Sequence, residues 1–177
     1  MGLELAAAGQ LEEAALTLQR AVQLDPDHRP ALLNAGEVLA RLGNTAAARS
    51  LFDRLLALDP GNSRAWFYLG QLDELEGAPD RALERYRRAL EADAGQAEAR
   101  LAMADLLFSR GEFDAAAAEY ARLRDGAGAA EERPFYGLLL AASHLGKGDC
   151  RRALAAAEQA LEESGNPAPE LASMVIR

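Results

Sequence analysis

The stretch "WFYLGQLDELEGAPDRALERYRRAL", Trp66 to Leu90, decides how the rest of the chain is read. Its first half sets Trp66, Leu69, Gly70 and Leu72 at a helical period, and Gly77-Ala78-Pro79-Asp80 stops that helix and starts another. Proline is tolerated there because the first turn of a helix leaves its N–H groups unpaired. The second half places Ala82, Leu83, Tyr86, Ala89 and Leu90 on one apolar stripe. Two antiparallel helices joined by a glycine turn follow. Gly70 and Ala82 are expected where the helices cross, with Tyr86 filling the space between this pair and the next.

The same pattern recurs upstream in "LLNAGEVLARLGNTAAARSLFDRLL" and downstream in "RLAMADLLFSRGEFDAAAAEYARL". Turn glycines fall at Gly9, Gly43, Gly77, Gly111 and Gly148, spaced by 34, 34, 34 and 37 residues. Seven residues before each stands a small residue: Gly2, Gly36, Gly70, Ala104 and Ala141. Five residues after each is an alanine, and nine after stand Leu18, Phe52, Tyr86, Tyr120 and Ala157. Pro26 and Pro60 end second helices in "LDP", since the residue before a proline is pushed out of the helical region.

A 34-residue unit of two helices with these columns resembles the tetratricopeptide repeat (TPR) family. Trp66, Leu69, Gly70, Ala82, Tyr86 and Ala89 occupy its signature positions. The resemblance implies an all-α, right-handed solenoid of about five helix-turn-helix units. The copies run over residues 1–28, 29–62, 63–96, 97–133 and 134–167, with a partial terminal helix over 168–177, as a single array. The chain departs from the family pattern in four places. Ala94 replaces the proline after the third copy, the first-helix aromatic column reads Leu32, Trp66, Arg100 and Gly137, Ala157 replaces the aromatic of the fifth copy, and "RDGAGAAEERP" carries three extra residues. The last unit is therefore expected to stack more loosely or in a rotated position. The first copy starts in mid-helix and the chain ends in "PAPELASMVIR", whose Leu171, Met174 and Val175 make an apolar face. Repeat arrays need polar caps, so the chain reads as a fragment of a longer protein, with its ends open to end-to-end self-association.

Composition narrows the function. Of 177 residues half are apolar, while 28 acids against 19 bases give a net charge of -9. That balance disfavours a surface tracking nucleic-acid phosphates, including the RNA-reading relatives that share the 34-residue period. No apolar run is long enough for a membrane helix, and "MGLELAAAG" lacks the positive region of a signal peptide. The expected compartment is the cytoplasm, and the Ala- and Arg-rich composition is that of a bacterial protein. One cysteine excludes an internal disulfide.

No enzyme is expected, and no cofactor or metal. His28, in the turn "DPDHRP", and His144 are far apart in the repeat register. Cys150 is expected as a small packing residue at a helix start. "GKGDC" lacks the spacing of a phosphate loop and a preceding strand. Glu98 and Asp105 share a helix face about 10.5 Å apart, but carboxylates on a repeat surface are ordinarily solvated.

By the family resemblance, first helices line a concave groove, and specific positions on each face inward. These give Leu33, Asn34, Glu37 and Arg41 in the second copy, with Pro30 and Ala40. The third gives Arg64, Phe67, Tyr68 and Gln71, with Glu74 and Leu75. The fourth and fifth give Glu98, Leu101, Asp105, Phe108, Phe135 and Leu138. Aromatic anchors beside an amide and charges suit a peptide. The expected function is a protein–protein interaction scaffold whose partner is a protein or peptide with apolar anchors, neutral or basic. The alternatives are a regulatory or substrate-presenting module of a larger enzyme, and a self-associating repeat. Asn34 and Arg64 lack the lysines of the family's carboxylate-clamp members, so a chaperone tail is not the expected ligand.

Overall fold

A computed structural model describes residues 2–165 of the chain. The expected terminal helix over 168–177, with Leu171, Met174 and Val175, lies outside the described residues. Within them are ten α-helices and no strand. They are α1 (Gly2–Ala7), α2 (Leu11–Leu24), α3 (Arg29–Arg41), α4 (Thr45–Leu58), α5 (Ser63–Leu75), α6 (Pro79–Ala92), α7 (Ala97–Ser109), α8 (Phe113–Gly126), α9 (Arg133–Gly146) and α10 (Cys150–Glu163). Each expected copy holds one packed pair, α1/α2 through α9/α10, except that α9 begins one residue before the boundary at 134.

The turns form for the reasons the sequence supplies. Gly77 takes φ +72°, a left-handed conformation that side chains resist, and its equivalents Gly9, Gly43, Gly111 and Gly148 do the same. Asn44, Asn62 and Asp149 cap the next helices by accepting a backbone N–H three residues on. His28 does this through Nδ1, 3.1 Å from the Ala31 nitrogen, which gives that histidine a structural task. Second helices α2 and α4 stop at Leu24 and Leu58, ahead of Pro26 and Pro60. Helix α6 stops at Ala92 without a proline, because Asp93 leaves the helical region in the same way (φ -145°, ψ 98°).

The helices cluster into two compact units, Met1–Ala94 with α1–α6 and Gly95–Arg177 with α7–α10. The division falls where "LDP" has become Ala92-Asp93-Ala94.

In the first unit the core runs through Leu18, Leu32, Ala35, Phe52, Leu55, Leu69 and Leu72, all buried. Each such large side chain contributes about 1.5–3 kcal/mol by leaving water. At the helix crossing a Cβ on Gly70 would stand 2.4 Å from Cε1 of the Tyr86 ring, and Ala82 is fully buried. Gly36 meets Phe52 in the same way, at 2.5 Å. The aromatic therefore first closes its own hairpin over the small residue sixteen positions earlier. Phe52 also reaches the following repeat, stacking on Tyr68 at 5.3 Å and 9°.

A buried carboxylate joins the second and third repeats of this unit. Asp73 of α5 has no solvent exposure and accepts from Arg49 of α4 at 2.9 Å, with Arg81 and Arg85 of α6 at 3.5 Å. Burial works to lower the Arg49 pKa, but the hydrogen bonds and charges of Glu76 and Asp73 outweigh it and the pKa is raised. Removing one partner of such a buried group leaves an uncompensated charge, which is why the cluster ties the repeats together.

In the second unit the tyrosine column holds at Tyr120, which is buried beneath α7 and donates to Asp105 at 2.6 Å. Glu119 of α8 is buried and pairs with Arg100 of α7 at 2.7 Å and with Arg122. Helix α8 ends as far from its turn glycine as α2, α4 and α6 do, and the three extra residues are taken up by a longer link holding a 3-10 turn, Ala130–Glu132, and by one more residue in α9. In the last hairpin Gly137, four residues before Ala141, lies against Ala160, where a Cβ would be 2.8 Å from the alanine's Cβ, and the sixteen-residue pair Ala141 and Ala157 is buried as in the other copies.

Candidate functional site

Seven of the expected inward residues of the first unit line a cleft between α3 and α5. It has a volume of about 410 Å³ and is lined by Glu37, Ala40, Arg41, Tyr68, Gln71, Leu72, Glu74 and Leu75. Residues 37, 40 and 41 of α3, and 68, 71, 72 and 75 of α5, fall on one face of each helix because three or four residues make a turn. Ala40, Leu72 and Tyr68 give the cleft apolar substance, and Leu75 is 73% exposed beside it.

The polar rim is ordered. Arg64 donates to Glu37 at 3.2 Å and to the Tyr68 hydroxyl at 3.4 Å, with its guanidinium 5.9 Å from the ring centre. Tyr68 is fixed from behind by Phe52 and Phe67. Burial first, then the Glu37 hydrogen bond, raises the Tyr68 pKa, against a smaller lowering by Arg64. Glu74 accepts from the Tyr86 hydroxyl, whose pKa is raised by burial and then by that carboxylate. The aromatic that closes the hairpin thus also sets the position of a cleft carboxylate.

Phe67 stands differently from the sequence expectation of an open anchor. It is buried, 5.3 Å from Tyr68 and 6.0 Å from Tyr86, and supports the cleft from below. Leu33 is half-buried and packs on the core, and Asn34 beside it is half-buried too. The signal missed in the sequence is Leu72. It lies one turn beyond Tyr68 and contributes to the cleft while being almost wholly buried. It occupies a core column, so its edge facing the cleft follows only from the packing.

The remaining expected residues belong to the second unit. Glu98, Leu101, Asp105 and Phe108 lie on α7, and Phe135 and Leu138 on α9. Asp105 is committed to the Tyr120 hydroxyl. Phe108 sets its ring against Phe113 of α8 at 5.3 Å and 71°. Phe135 is 54% exposed and 5.4 Å from Tyr136, whose pKa is raised by burial and then by Glu132 and Glu98. Leu101 and Leu138 are half-buried and Glu98 exposed.

Among the described residues no group of three or more His, Cys, Asp or Glu is placed to hold a metal ion. Cys150 is exposed at the start of α10, which corrects its expected packing role. No helix of the described residues is long and apolar enough to cross a membrane.

Similarity to known proteins agrees with this architecture. A crystal structure of MamA matches with TM-score 0.79 and 20% identity, over 93% of this chain and 88% of that chain. MamA from Desulfovibrio magneticus RS-1 matches with TM-score 0.76 and 20% identity, over 92% and 90%. YrrB, described as a TPR protein with an unusual peptide-binding site, matches with TM-score 0.73 and 22% identity, over 99% and 88%. At these identities the likeness is one of fold. No curated protein matches the chain by sequence. The family model described as tetratricopeptide repeat matches residues 5–72 and 75–132. Those two regions take in most of the chain and all of its best-kept columns, and so the chain belongs to the tetratricopeptide repeat family.

Proposed function

We propose that the chain is a protein-interaction module that holds a peptide segment, extended or helical, against the α3–α5 face of its first unit. The observation that carries this reading is the cleft itself. It combines an apolar floor with a rim of oriented polar groups, in a volume of about 410 Å³ that takes one or two large side chains. Exposed Leu75 is the apolar surface that a ligand would cover. Arg41 and Gln71 stand on the rim without a hydrogen-bond partner among the described residues. The ligand is neutral or basic with apolar anchors. Glu37 and Glu74 balance Arg41 and Arg64 locally, and the net charge of -9 repels acidic segments at longer range. The peptide-binding site described for YrrB, a protein of similar fold, is in keeping with this reading.

The test is selection of random dodecapeptides on the full chain, compared with a Leu75→Ser, Gln71→Ala double variant. The selected peptides should carry an apolar anchor, and the variant should lose about 2 kcal/mol of binding. Circular dichroism should be unchanged, since both side chains are exposed. Peptides held equally by both proteins would place the interaction on another surface.

A further inference from the structure

The first unit carries a second candidate site, which shares no residue with the cleft. Trp66 and Tyr68 are two residues apart on α5, hence about 200° apart around its axis, so Trp66 faces away from the cleft. Around Trp66 lies a shallow pocket of about 330 Å³ lined by Arg81, Glu84, Arg85 and Arg88. The three arginines follow one another at i, i+4 and i+7 and so share a face of α6. In a chain with nine more acids than bases, this pocket has three cations to one anion.

Its cations are available to a ligand. Among the described residues Arg88 pairs with Glu84 and Glu91, at 3.2 and 3.3 Å, and all three side chains are more than half exposed. Arg81 pairs with Glu76 at 3.2 Å, again at the surface, besides its longer contact to Asp73. Exposed pairs of this kind are worth little and exchange readily for another carboxylate. Arg85 is held more firmly. Its guanidinium lies 5.2 Å from the Trp66 ring centre and its Nε 3.5 Å from buried Asp73. It donates no hydrogen bond among the described residues, so its donors remain to be used. The Trp66 indole is itself pinned, donating to the Pro60 carbonyl at 2.9 Å.

We infer that the Trp66–Arg81–Arg85–Arg88 pocket docks an acidic protein segment, with carboxylates on the arginines and an apolar or aliphatic group on the indole. The cations run over seven residues of helix, about 10 Å. That length suits two carboxylates on alternate residues of an extended segment, which recur at about 7 Å, better than a single phosphate. The proposal is independent of the cleft, whose ligand is neutral or basic.

Trp66 is the sole tryptophan, so its emission reports this pocket directly. Full-length chain is titrated with hexaglutamate at low and moderate salt, with pyrophosphate and hexalysine as comparison ligands. Hexaglutamate should give a saturable change that weakens with salt. The exposed Arg88→Glu variant should bind it about tenfold more weakly, while Leu75→Ser in the cleft leaves it unchanged. Arg81→Gln, also at an exposed side chain, gives a second measure, and far-ultraviolet circular dichroism confirms that each variant is folded. Absence of a saturable change, an equal affinity in Arg88→Glu, or a response to pyrophosphate but not to hexaglutamate would overturn the proposal.

Discussion

The two units use the same 34-residue grammar and close their hairpins differently. In the first, glycine meets an aromatic ring at both Gly36–Phe52 and Gly70–Tyr86, so the helices approach until a Cβ would overlap the ring. In the second, Ala104 stands in the small-residue column ahead of Tyr120, and the last hairpin has no aromatic. There Gly137 lies against Ala160, and Ala141 and Ala157 are buried. A large ring on a glycine fixes the crossing point of two helices, because only one offset gives it room. Two small residues leave several offsets of similar energy. The difference reaches the surface. Where Tyr86 is fixed, its hydroxyl holds Glu74 in the α3–α5 cleft, and Phe52 supports Tyr68.

The largest expected effect that would break this contrast is Tyr86→Ala. It empties the site over Gly70 and should cost about 3–5 kcal/mol in urea unfolding, whereas Ala157→Gly in the last hairpin should cost about 1 kcal/mol, mostly helix propensity. Comparable losses would mean that the aromatic is not what fixes the crossing. Glu91→Ala, on the surface of the same helix as Tyr86, is the control and should stay within about 0.5 kcal/mol.

A smaller and more discriminating pair exchanges the small residues. Gly70→Ala puts a methyl 2.4 Å from Tyr86 Cε1 and should destabilise by about 1–3 kcal/mol through overpacking, despite alanine's better helix propensity. Ala104→Gly in the second unit should cost at most about 1 kcal/mol. A stabilised Gly70→Ala would show that the ring of Tyr86 shifts easily and the first unit is no more constrained than the second.

The smallest effect is shared by the units. Burial, then Glu74 or Asp105, raises the pKa of Tyr86 and Tyr120 above the usual value for tyrosine. A phenol held neutral in the folded state contributes stability that is intact below the unfolded pKa of about 10 and declines as pH rises through and above it. The unfolded chain then gives up its protons first. Thermal unfolding midpoints should fall above pH 10, and Tyr86→Phe with Tyr120→Phe should flatten that decline. An unchanged slope in the double variant would assign it to other groups.

The helices, their turns and the family could be read because helical period, positive-φ glycines and capping residues act within a few positions along the chain. Gly77 announces a turn wherever it sits, and Asn62 caps whatever helix follows. Leu72 and Phe67 could not be sorted in that way. Both are apolar at helical spacing, and whether such a side chain borders a cleft or lies beneath it depends on what the neighbouring helix presents.

The helices, their pairing into hairpins and the acidic balance follow from local sequence, since backbone preferences and charge are properties of short segments and of totals. The rest comes from packing between hairpins. That packing brought Glu37 and Arg41 opposite Gln71 and Leu75, turned Phe67 inward, and gathered Asp73 with Arg49, Arg81 and Arg85 from three helices. These are distances between residues remote in the chain, and they are set by which side chains can occupy the same space once the hairpins pack.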